Sequence, residues 1–277
     1  MHGDLLGEAM ADRPPDDDVR PVSFVNRRRL LLAVGGMALT SVAAPRLGGS
    51  LAPALAAEHQ ALTPQHLAHR AHRRHRRRPR YPSGKPLYYI DDTSKSIALT
   101  IDDGPDPVYT PQVLRLLHKY QVTATFSMIG LHVAAFPHLA REVHEAGHKI
   151  CNHTWNHADL AGFSARRVHD EIARATHAIH TATGLHPGLF RAPYGAWSPE
   201  VIKECERMRM IPMDWSVDPR DWSMPGVHHI VRNIMKNTQP GSIILEHDGG
   251  GNRSETVKAL RIVLPRLLDE GYHFATP

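Results

Sequence analysis

The sequence predicts an α/β domain in which about seven parallel strands alternate with helices. Two observations support this fold class. From Pro86 onward, short apolar runs alternate with longer amphipathic stretches, and clusters of polar residues directly follow several of the apolar runs. Parallel strands need long crossover connections, which helices of these lengths supply. The pattern fits both a barrel of β/α units and an open doubly wound sheet.

The individual elements follow from composition and periodicity. Seven segments have the length and the apolar content of strands: residues 97–101, 123–128, 149–152, 188–191, 210–213, 242–246 and 272–275. Six segments between them have the spacing of amphipathic helices: residues 110–120, 136–146, 165–183, 199–207, 227–237 and 253–270. Strand and helix thus alternate through the whole region from 86 to 277.

Composition and charge limit the functional class. The 277 residues are 42% hydrophobic and 22% charged, which suits one sizeable core and excludes a multi-spanning membrane protein. The net charge of +5 is unevenly distributed. Residues 58–85 contain eight Lys/Arg against one Asp/Glu, whereas residues 86–277 contain nineteen against twenty-one. Because the globular part is slightly acidic, we expect no specific nucleic-acid partner.

Residues 1–56 have the parts of an export signal. Three arginines, Arg27 to Arg29, precede an apolar stretch over residues 30–39, and Ala54-Leu55-Ala56 follows later. The apolar stretch is shorter than the roughly 20 residues that span a bilayer. We therefore expect a removed leader that contacts the membrane only during export, with an uncleaved signal anchor as the alternative. The paired arginines resemble the twin-arginine signal and predict a secreted or wall-associated protein.

Residues 57–85 predict a disordered linker rich in His and Arg, because almost no apolar side chains are available for burial. Such a segment can be attracted to an anionic wall or membrane face, or it can be a solvated tether. The remaining residues, 86–277, form the predicted catalytic domain. Its two cysteines, Cys151 and Cys205, are too few for a disulfide framework; separate buried thiols are the simpler interpretation, and a single bridge stays open.

Two histidines and an aspartate pair suggest a metal site. His153 and His157 are four residues apart, a spacing that lets both imidazoles hold one cation. In a chain with 21 histidines this spacing alone is weak evidence. Asp102 and Asp103 directly follow the first predicted strand, at the edge where parallel strands present their carboxyl ends. One carboxylate and two imidazoles form a three-ligand face that leaves positions open for water and substrate. An ordinary turn is the alternative for Asp-Asp-Gly-Pro.

Five segments in order resemble the motifs of the polysaccharide deacetylase family, carbohydrate esterase family four. They are residues 100–105 (TIDDGP), 153–157 (HTWNH), 191–195 (RAPYG), 218–222 (DPRDW) and 245–247 (LEH). The resemblance extends over about residues 95–275. It implies a distorted barrel of β/α units and a divalent metal, commonly zinc with cobalt as the alternative, that serves the hydrolysis of acetyl groups on sugars.

The same resemblance implies the roles of five residues in the first, second and fifth motifs. Asp103, His153 and His157 would ligate the metal. Asp102 would be the general base that activates the attacking water. His247 would be the general acid that protonates the leaving nitrogen.

The third, fourth and fifth motifs would supply supporting residues. Arg191 would orient the base, and Asp221 would support the charged form of the acid. Tyr194 would offer its backbone N–H to the oxyanion, Leu245 would line the pocket for the acetyl methyl group, and Trp222 would form one wall of the groove. Taken singly, these residues have simpler interpretations: an ion pair between Arg191 and Asp221, core aromatics, and a loop histidine at 247.

The sequence departs from the family pattern at three positions. Ile101 stands where Phe is usual, Ala192 stands where Pro is frequent, and Glu246 stands between the two functional residues of the fifth motif. The first two positions supply no chemistry. Glu246 adds a carboxylate near the expected acid, unless the strand directs it away.

The leading hypothesis is an exported, metal-dependent monomer that deacetylates N-acetylglucosamine units of a polymer, with peptidoglycan as the expected substrate. Chitooligosaccharides and acetylxylan are alternatives, because substrate choice depends on loops that a single sequence does not decode. A hypothesis from another class is a non-catalytic wall- or polyanion-binding protein that uses the basic linker. A histidine-rich metal-binding protein is a third, and it depends on the linker alone.

Overall fold

The computed structural model describes residues 84–91 and 94–277. The predicted export signal and the predicted linker up to residue 83 lie outside the described residues. The strands are β1 (Ser96–Asp102), β2 (Thr125–Met128), β3 (Lys149–Asn152), β4 (Leu189–Phe190), β5 (Ile211–Pro212), β6 (Ile243–His247) and β7 (His273–Phe274). The α-helices are α1 (Thr110–Tyr120), α2 (Gly130–Ala135), α3 (Pro137–Glu145), α4 (Ala165–Thr183), α5 (Pro199–Arg207), α6 (Val227–Asn237) and α7 (Ser254–Asp269). Short 3₁₀ turns occupy Pro193–Gly195 and Asp221–Ser223.

The strands form one parallel sheet that curls into a partial barrel. Its order is β5-β4-β3-β2-β1-β6, and β7 pairs with the start of β1. The segment before β1 connects the two edges, since Leu87 bridges to Met213 beside β5 and Tyr89 bridges to Ser242 beside β6. A further bridge joins Val217 to Ile244. The α/β fold class with parallel strands is confirmed, as a curled, barrel-like sheet rather than an open one.

Strand alternation decides which side chains face the inside of the curl. Side chains along a strand point to opposite faces in turn. In β1, Ile97, Leu99 and Ile101 join the core between sheet and helices, whereas Ala98 belongs to the interior cluster with Cys151 and Met213. Asp102 has the parity of Ala98, so it faces inward at the carboxyl end of β1.

Most helix bounds agree with the sequence prediction, and local chemistry explains them. Helix α4 ends at Thr183 because the next residue, Gly184, adopts a left-handed φ of 73° and donates its N–H to the carbonyl of His180. Helix α5 begins after Ser198, whose Oγ accepts the N–H of Val201 at 3.4 Å. Pro199 occupies the first position of α5, where no backbone donor is needed.

Helix α2 was not predicted from the sequence. It has six residues and begins at Gly130, a residue with low helix propensity. The glycine has a packing reason, because a Cβ at this position would lie 2.8 Å from the Cα of Ala175 in α4. The close approach of two backbones therefore requires glycine here, and tertiary packing outweighs local propensity.

The two cysteines are separate buried thiols, and the structure does not contain the bridge that the sequence left open. Burial raises the pKa of Cys151 to about 12, despite the opposing charge of Arg191. Both thiols therefore behave as small apolar groups. Within residues 84–91 and 94–277, no helix has the length and apolar character to cross a bilayer.

Candidate active site

Asp103, His153 and His157 come together at the carboxyl ends of β1 and β3. Oδ1 of Asp103 lies 3.5 Å from Nε2 of His153 and 3.2 Å from Nε2 of His157. One ligand atom from each of the three residues lies within 4.8 Å of the other two. Among the described residues, no other group of three or more His, Cys, Asp or Glu side chains has such spacing. Residues 50 positions apart thus converge as the sequence predicted.

The donor set fits a divalent cation. Oδ1 of Asp103 is buried and has no hydrogen-bond partner among the described residues, although two imidazole nitrogens lie close to it. Burial would raise the pKa of Asp103, but the imidazoles of His153 and His157 and the charge of His247 hold it well below its usual value. The carboxylate is therefore ionised. One carboxylate and two imidazoles are a donor set typical of catalytic zinc.

Each of the three residues is held from behind by a second contact. Nδ1 of His153 lies 2.8 Å from the carbonyl oxygen of Arg191, and Nδ1 of His157 lies 3.1 Å from the hydroxyl of Tyr194. On α2, His132 places its Nδ1 2.7 Å from the carbonyl oxygen of Asp103. Contacts of this kind fix the orientation and the tautomer of metal-binding side chains. His132 was not singled out from the sequence, because it belongs to none of the five motifs.

Asp102 is held by a buried arginine. Nη1 of Arg191 donates to Oδ1 of Asp102 at 2.7 Å and lies 2.7 Å from Oγ1 of Thr100, and Nη2 donates to the carbonyl of Asp214 at 2.8 Å. The Arg191 side chain is completely buried. The other oxygen of Asp102, Oδ2, lies 3.7 Å from Nε2 of His153, beside the three-residue cluster. Arg191 therefore pairs with Asp102 and not with Asp221.

His247 and Asp221 form the opposite side of the site. Oδ1 of Asp221 lies 2.7 Å from Nδ1 of His247, and Oδ2 accepts the backbone N–H of the same histidine at 2.9 Å. Thr256 donates to Oδ2 at 2.6 Å. Burial would lower the pKa of His247, but the hydrogen bond and charge of Asp221, with the charges of Asp103 and Asp102, raise it to about 9. The Nδ1–H therefore faces Asp221, which leaves Nε2 for the cleft.

Left-handed backbone is concentrated in these loops. Of nine described non-glycine residues with positive φ, five lie in the motifs: Asp103, Thr154, His157, Tyr194 and Arg220. Such conformations cost about 1–3 kcal/mol each and persist where surrounding contacts enforce them. Here the enforcing contacts include a glycine loop, because a Cβ on Gly249 would collide with the carbonyl oxygen of Asp103. The loops are thus shaped for the positions of their side chains.

A cleft of about 400 Å³ opens over the cluster. It is lined by Asp102, Asp103, His153, His157, Tyr194, Trp215, Asp218, Trp222, Leu245 and His247. Tyr194 and Trp222 are exposed at its rim, with 70% and 45% of their surface accessible. Trp215 and Asp218 also line the cleft, and neither was assigned a role from the sequence. A second cavity, of about 370 Å³, adjoins the first and shares Asp103, His157 and Tyr194 with it.

Glu246 points away from this cleft. In β6 it alternates with Leu245 and His247, which both line the cleft, and its side chain is completely buried on the helix side of the sheet. Burial raises the pKa of Glu246 well above its usual value, together with the charge of Asp221, a hydrogen-bond contact with that carboxylate, and the charge of Asp218. Burial therefore favours the neutral form of this carboxyl group, and the strand directs it away from the cleft.

All ten residues singled out from the sequence lie in this region. Eight line the cleft itself, while Arg191 and Asp221 support two of them from behind. The supporting residues that the sequence analysis did not assign are Thr100, His132, Asp214 and Thr256. They contact the site through backbone atoms or hydroxyl groups, which carry no spacing pattern in the sequence.

Known proteins with similar sequences and structures belong to the family that the five motifs resemble. A polysaccharide deacetylase profile matches residues 90–211. A peptidoglycan-N-acetylglucosamine deacetylase of Bacillus cereus is 42% identical over 197 residues, which is 70% of this chain and 92% of that relative. A chitooligosaccharide deacetylase of Bradyrhizobium is 40% identical over 191 residues, which is 65% of this chain and 87% of that relative.

A solved structure of similar fold is a pseudoenzyme of carbohydrate esterase family 4 from Bacillus anthracis. It has a TM-score of 0.66 and 28% sequence identity, and the match covers 70% of this chain and 67% of that one. This chain belongs to the polysaccharide deacetylase family, the hydrolases of carbohydrate esterase family 4.

Proposed function

We propose that this protein is an exported, zinc-dependent deacetylase of N-acetylglucosamine units in peptidoglycan. The observation that carries the proposal is the buried, unpartnered Oδ1 of Asp103 between two imidazoles, with Asp102 and His247 in the same cleft. Because a pseudoenzyme has a similar fold, the fold alone does not imply activity. The proposal therefore depends on the arrangement of these side chains.

Asp103, His153 and His157 would hold the cation. A divalent cation supplies Lewis acidity, which makes water easier to deprotonate and an acetyl carbonyl more electrophilic. An acetamide needs this help, because it is a weak electrophile with a poor leaving group. Zinc fits the mixed nitrogen and oxygen donors, and cobalt is expected to substitute for it.

Asp102 is the proposed general base. Arg191 occupies Oδ1 of its carboxylate at 2.7 Å, so the proton of the attacking water goes to Oδ2, on the side of His153. The same arginine fixes the carboxylate plane through its further bonds to Thr100 and to the carbonyl of Asp214. Arg191 is therefore a positioning residue and Asp102 a catalytic one.

The cleft walls place the acetyl group. The backbone N–H of Tyr194 is the proposed donor to the oxyanion, and one such donor typically contributes about 3–4 kcal/mol. Leu245 is buried and lines the cleft, and its apolar side chain suits the acetyl methyl group. The exposed indole of Trp222 offers a flat apolar face for a sugar ring.

His247 is the proposed general acid. Its imidazole carries a proton at neutral pH because Asp221 stabilises the charged form. Nε2 is the nitrogen left free for the cleft, so it can protonate the departing amine as the carbon–nitrogen bond breaks. The products are acetate and a free amino group on the sugar. Asp221 itself stays ionised. Burial would raise its pKa, but the hydrogen bond and charge of His247, with hydrogen-bond contacts to Glu246 and Thr256, lower it.

Peptidoglycan is favoured over other acetylated polymers on two grounds. The relative with 42% identity is described as acting on peptidoglycan N-acetylglucosamine. The basic segment over residues 58–85, with eight Lys/Arg against one Asp/Glu, suits an anionic cell wall. The twin-arginine-like signal supports export, and a cofactor loaded before export suits that route.

Acetate release by the full-length protein tests the proposal. The zinc-loaded protein is assayed on peptidoglycan, chitooligosaccharides and acetylxylan. A higher kcat/KM on peptidoglycan than on the other two polymers supports the proposal. A higher kcat/KM on chitooligosaccharides, the substrate class in the name of the 40% identical relative, would overturn peptidoglycan as the proposed substrate. No acetate from any polymer, together with peptidoglycan binding that is lost when residues 58–85 are deleted, supports a non-catalytic wall binder instead.

A further inference from the structure

The imidazole of His157 lies between two polar groups. Its Nε2 is 3.2 Å from Oδ1 of Asp103, and its Nδ1 is 3.1 Å from the hydroxyl of Tyr194. The rings of His157 and Tyr194 meet edge to face, with centroids 4.7 Å apart and planes at 74°. The tyrosine therefore fixes the histidine by a hydrogen bond and by ring packing together.

His157 needs such support more than the other two residues of the cluster. The side chain of His153 is only 3% exposed, and its Nδ1 is bound to a buried backbone carbonyl. The side chain of His157 is 25% exposed, and its own backbone has a left-handed φ of 64° in a loop. Among the described residues, the Tyr194 hydroxyl is the hydrogen-bond partner recorded for Nδ1 of this imidazole.

The tautomer that suits a cation determines the direction of this hydrogen bond. A lone pair on Nε2, which faces Asp103, requires the ring proton on Nδ1. Nδ1 then donates to the phenol oxygen, and the phenol proton points elsewhere. A histidine that ligates a metal generally donates its other ring N–H to a fixed acceptor, and loss of that acceptor typically weakens metal binding about 10- to 100-fold.

We propose that the hydroxyl of Tyr194 is a positioning group for His157 and thereby sets the affinity of the site for a divalent cation. This role is separate from the backbone N–H of the same residue, which belongs to the oxyanion side of the cleft. The inference depends on the proposed metal site and is independent of which polymer is the substrate.

Tyr194→Phe tests the hydroxyl alone, since it keeps the ring, the backbone N–H and the edge-to-face packing. Tyr272→Phe is the matched control, because Tyr272 also uses its hydroxyl in one hydrogen bond, to the carbonyl of Thr238 at 3.2 Å, away from the cleft. Zinc affinity is measured for the full-length proteins by competition with a chromophoric chelator. We expect the apparent Kd for zinc to rise about 10-fold or more in Tyr194→Phe and to stay unchanged in Tyr272→Phe.

One further measurement separates positioning from a general structural effect. The metal-free proteins should unfold at the same temperature, because the hydroxyl of an exposed tyrosine contributes little to the core. Wild-type zinc affinity in Tyr194→Phe overturns this inference and leaves the proposed metal site standing. Absence of zinc binding by the wild-type protein overturns both this inference and the proposed metal dependence.

Discussion

Nδ1 of His247 and Oδ1 of Asp221 lie 2.7 Å apart in a buried pair that closes one side of the cleft. The aspartate also accepts the backbone N–H of the histidine at 2.9 Å, so both residues are fixed by two contacts. Burial by itself favours the neutral imidazole, yet the carboxylates around it raise the pKa of His247 to about 9. A proton donor is thus maintained at and above neutral pH.

Asp221→Asn should shift the pH dependence of catalysis. The active form of a general acid is protonated, so its contribution is present below its pKa and is lost as pH rises through it. We expect kcat of the wild-type enzyme to decline as pH rises through about 9, and that of Asp221→Asn to decline at lower pH, toward the unperturbed value near 6.5. Steady-state rates from pH 5 to 10 measure the shift.

Asp269→Asn, at an exposed position at the end of α7, is the control and should keep the wild-type profile. An alkaline limb at the same pH in Asp221→Asn and in the wild type would remove Asp221 from the proposed role.

Substitution of the two adjacent aspartates should separate zinc binding from catalysis. Asp103→Asn removes the carboxylate of the three-residue cluster, so zinc and activity should be lost together. Asp102→Asn leaves the cluster intact but removes the proposed base, so zinc should stay bound while kcat falls about 10²- to 10⁴-fold. Metal analysis of the purified proteins beside acetate release measures both quantities. A fully active Asp102→Asn enzyme, or an Asp103→Asn enzyme with full zinc content, contradicts the assignment.

Glu246 should limit stability. Its carboxyl group is completely buried, and the polar group beside it is another carboxylate, that of Asp221, so its pKa is raised well above the usual value. A buried polar group that is poorly compensated costs about 1–3 kcal/mol. Glu246→Met fills a similar volume without this cost. We therefore expect the free energy of unfolding at pH 7 to rise by about 1–3 kcal/mol, measured by urea denaturation.

The gain in Glu246→Met should depend on pH. Since the pKa of Glu246 is raised in the folded protein, the unfolded chain releases this proton first, and wild-type stability falls as pH rises above the unfolded value near 4.5. The stability difference between variant and wild type should therefore shrink toward pH 4. Glu145→Met, at an exposed position in α3, is the control. A difference that is constant from pH 4 to 7 would mean that Glu246 does not hold its proton on folding.

Arg220 should favour an acidic polymer. It is exposed, and its guanidinium carbon lies 5.1 Å from the centroid of the Trp222 ring, beside the cleft. Peptidoglycan carries carboxylates, whereas chitooligosaccharides are neutral. An exposed ion pair contributes about 0.2–1 kcal/mol, so Arg220→Gln should lower kcat/KM on peptidoglycan up to about fivefold and leave it unchanged on chitooligosaccharides.

Arg232→Gln, in an exposed part of α6, is the matched control for net charge. The effect of Arg220→Gln should also diminish at high salt, because exposed charges are screened. Equal losses on both substrates would assign Arg220 a structural role.

Local sequence patterns were sufficient for most of the architecture. The apolar runs and amphipathic stretches predicted helices such as α1 and α4 at their observed bounds, because their periodicity and end residues are local properties. Helix α2 escaped prediction because its reason is a close approach to Ala175, 45 residues away in the chain. The order of the motifs at strand ends also predicted convergence, since parallel strands share one carboxyl edge.

By itself, the sequence determined the alternating fold class, the five motifs and their placement after strands. Only the tertiary structure decided the pairings: Arg191 with Asp102, Asp221 with His247, and the Tyr194 hydroxyl with His157. It also decided that Glu246 faces the helices and that Cys151 and Cys205 remain separate. The physical reason is that strand and helix formation depends on near neighbours, whereas these contacts join residues 26 to 89 positions apart through the curl and register of the sheet.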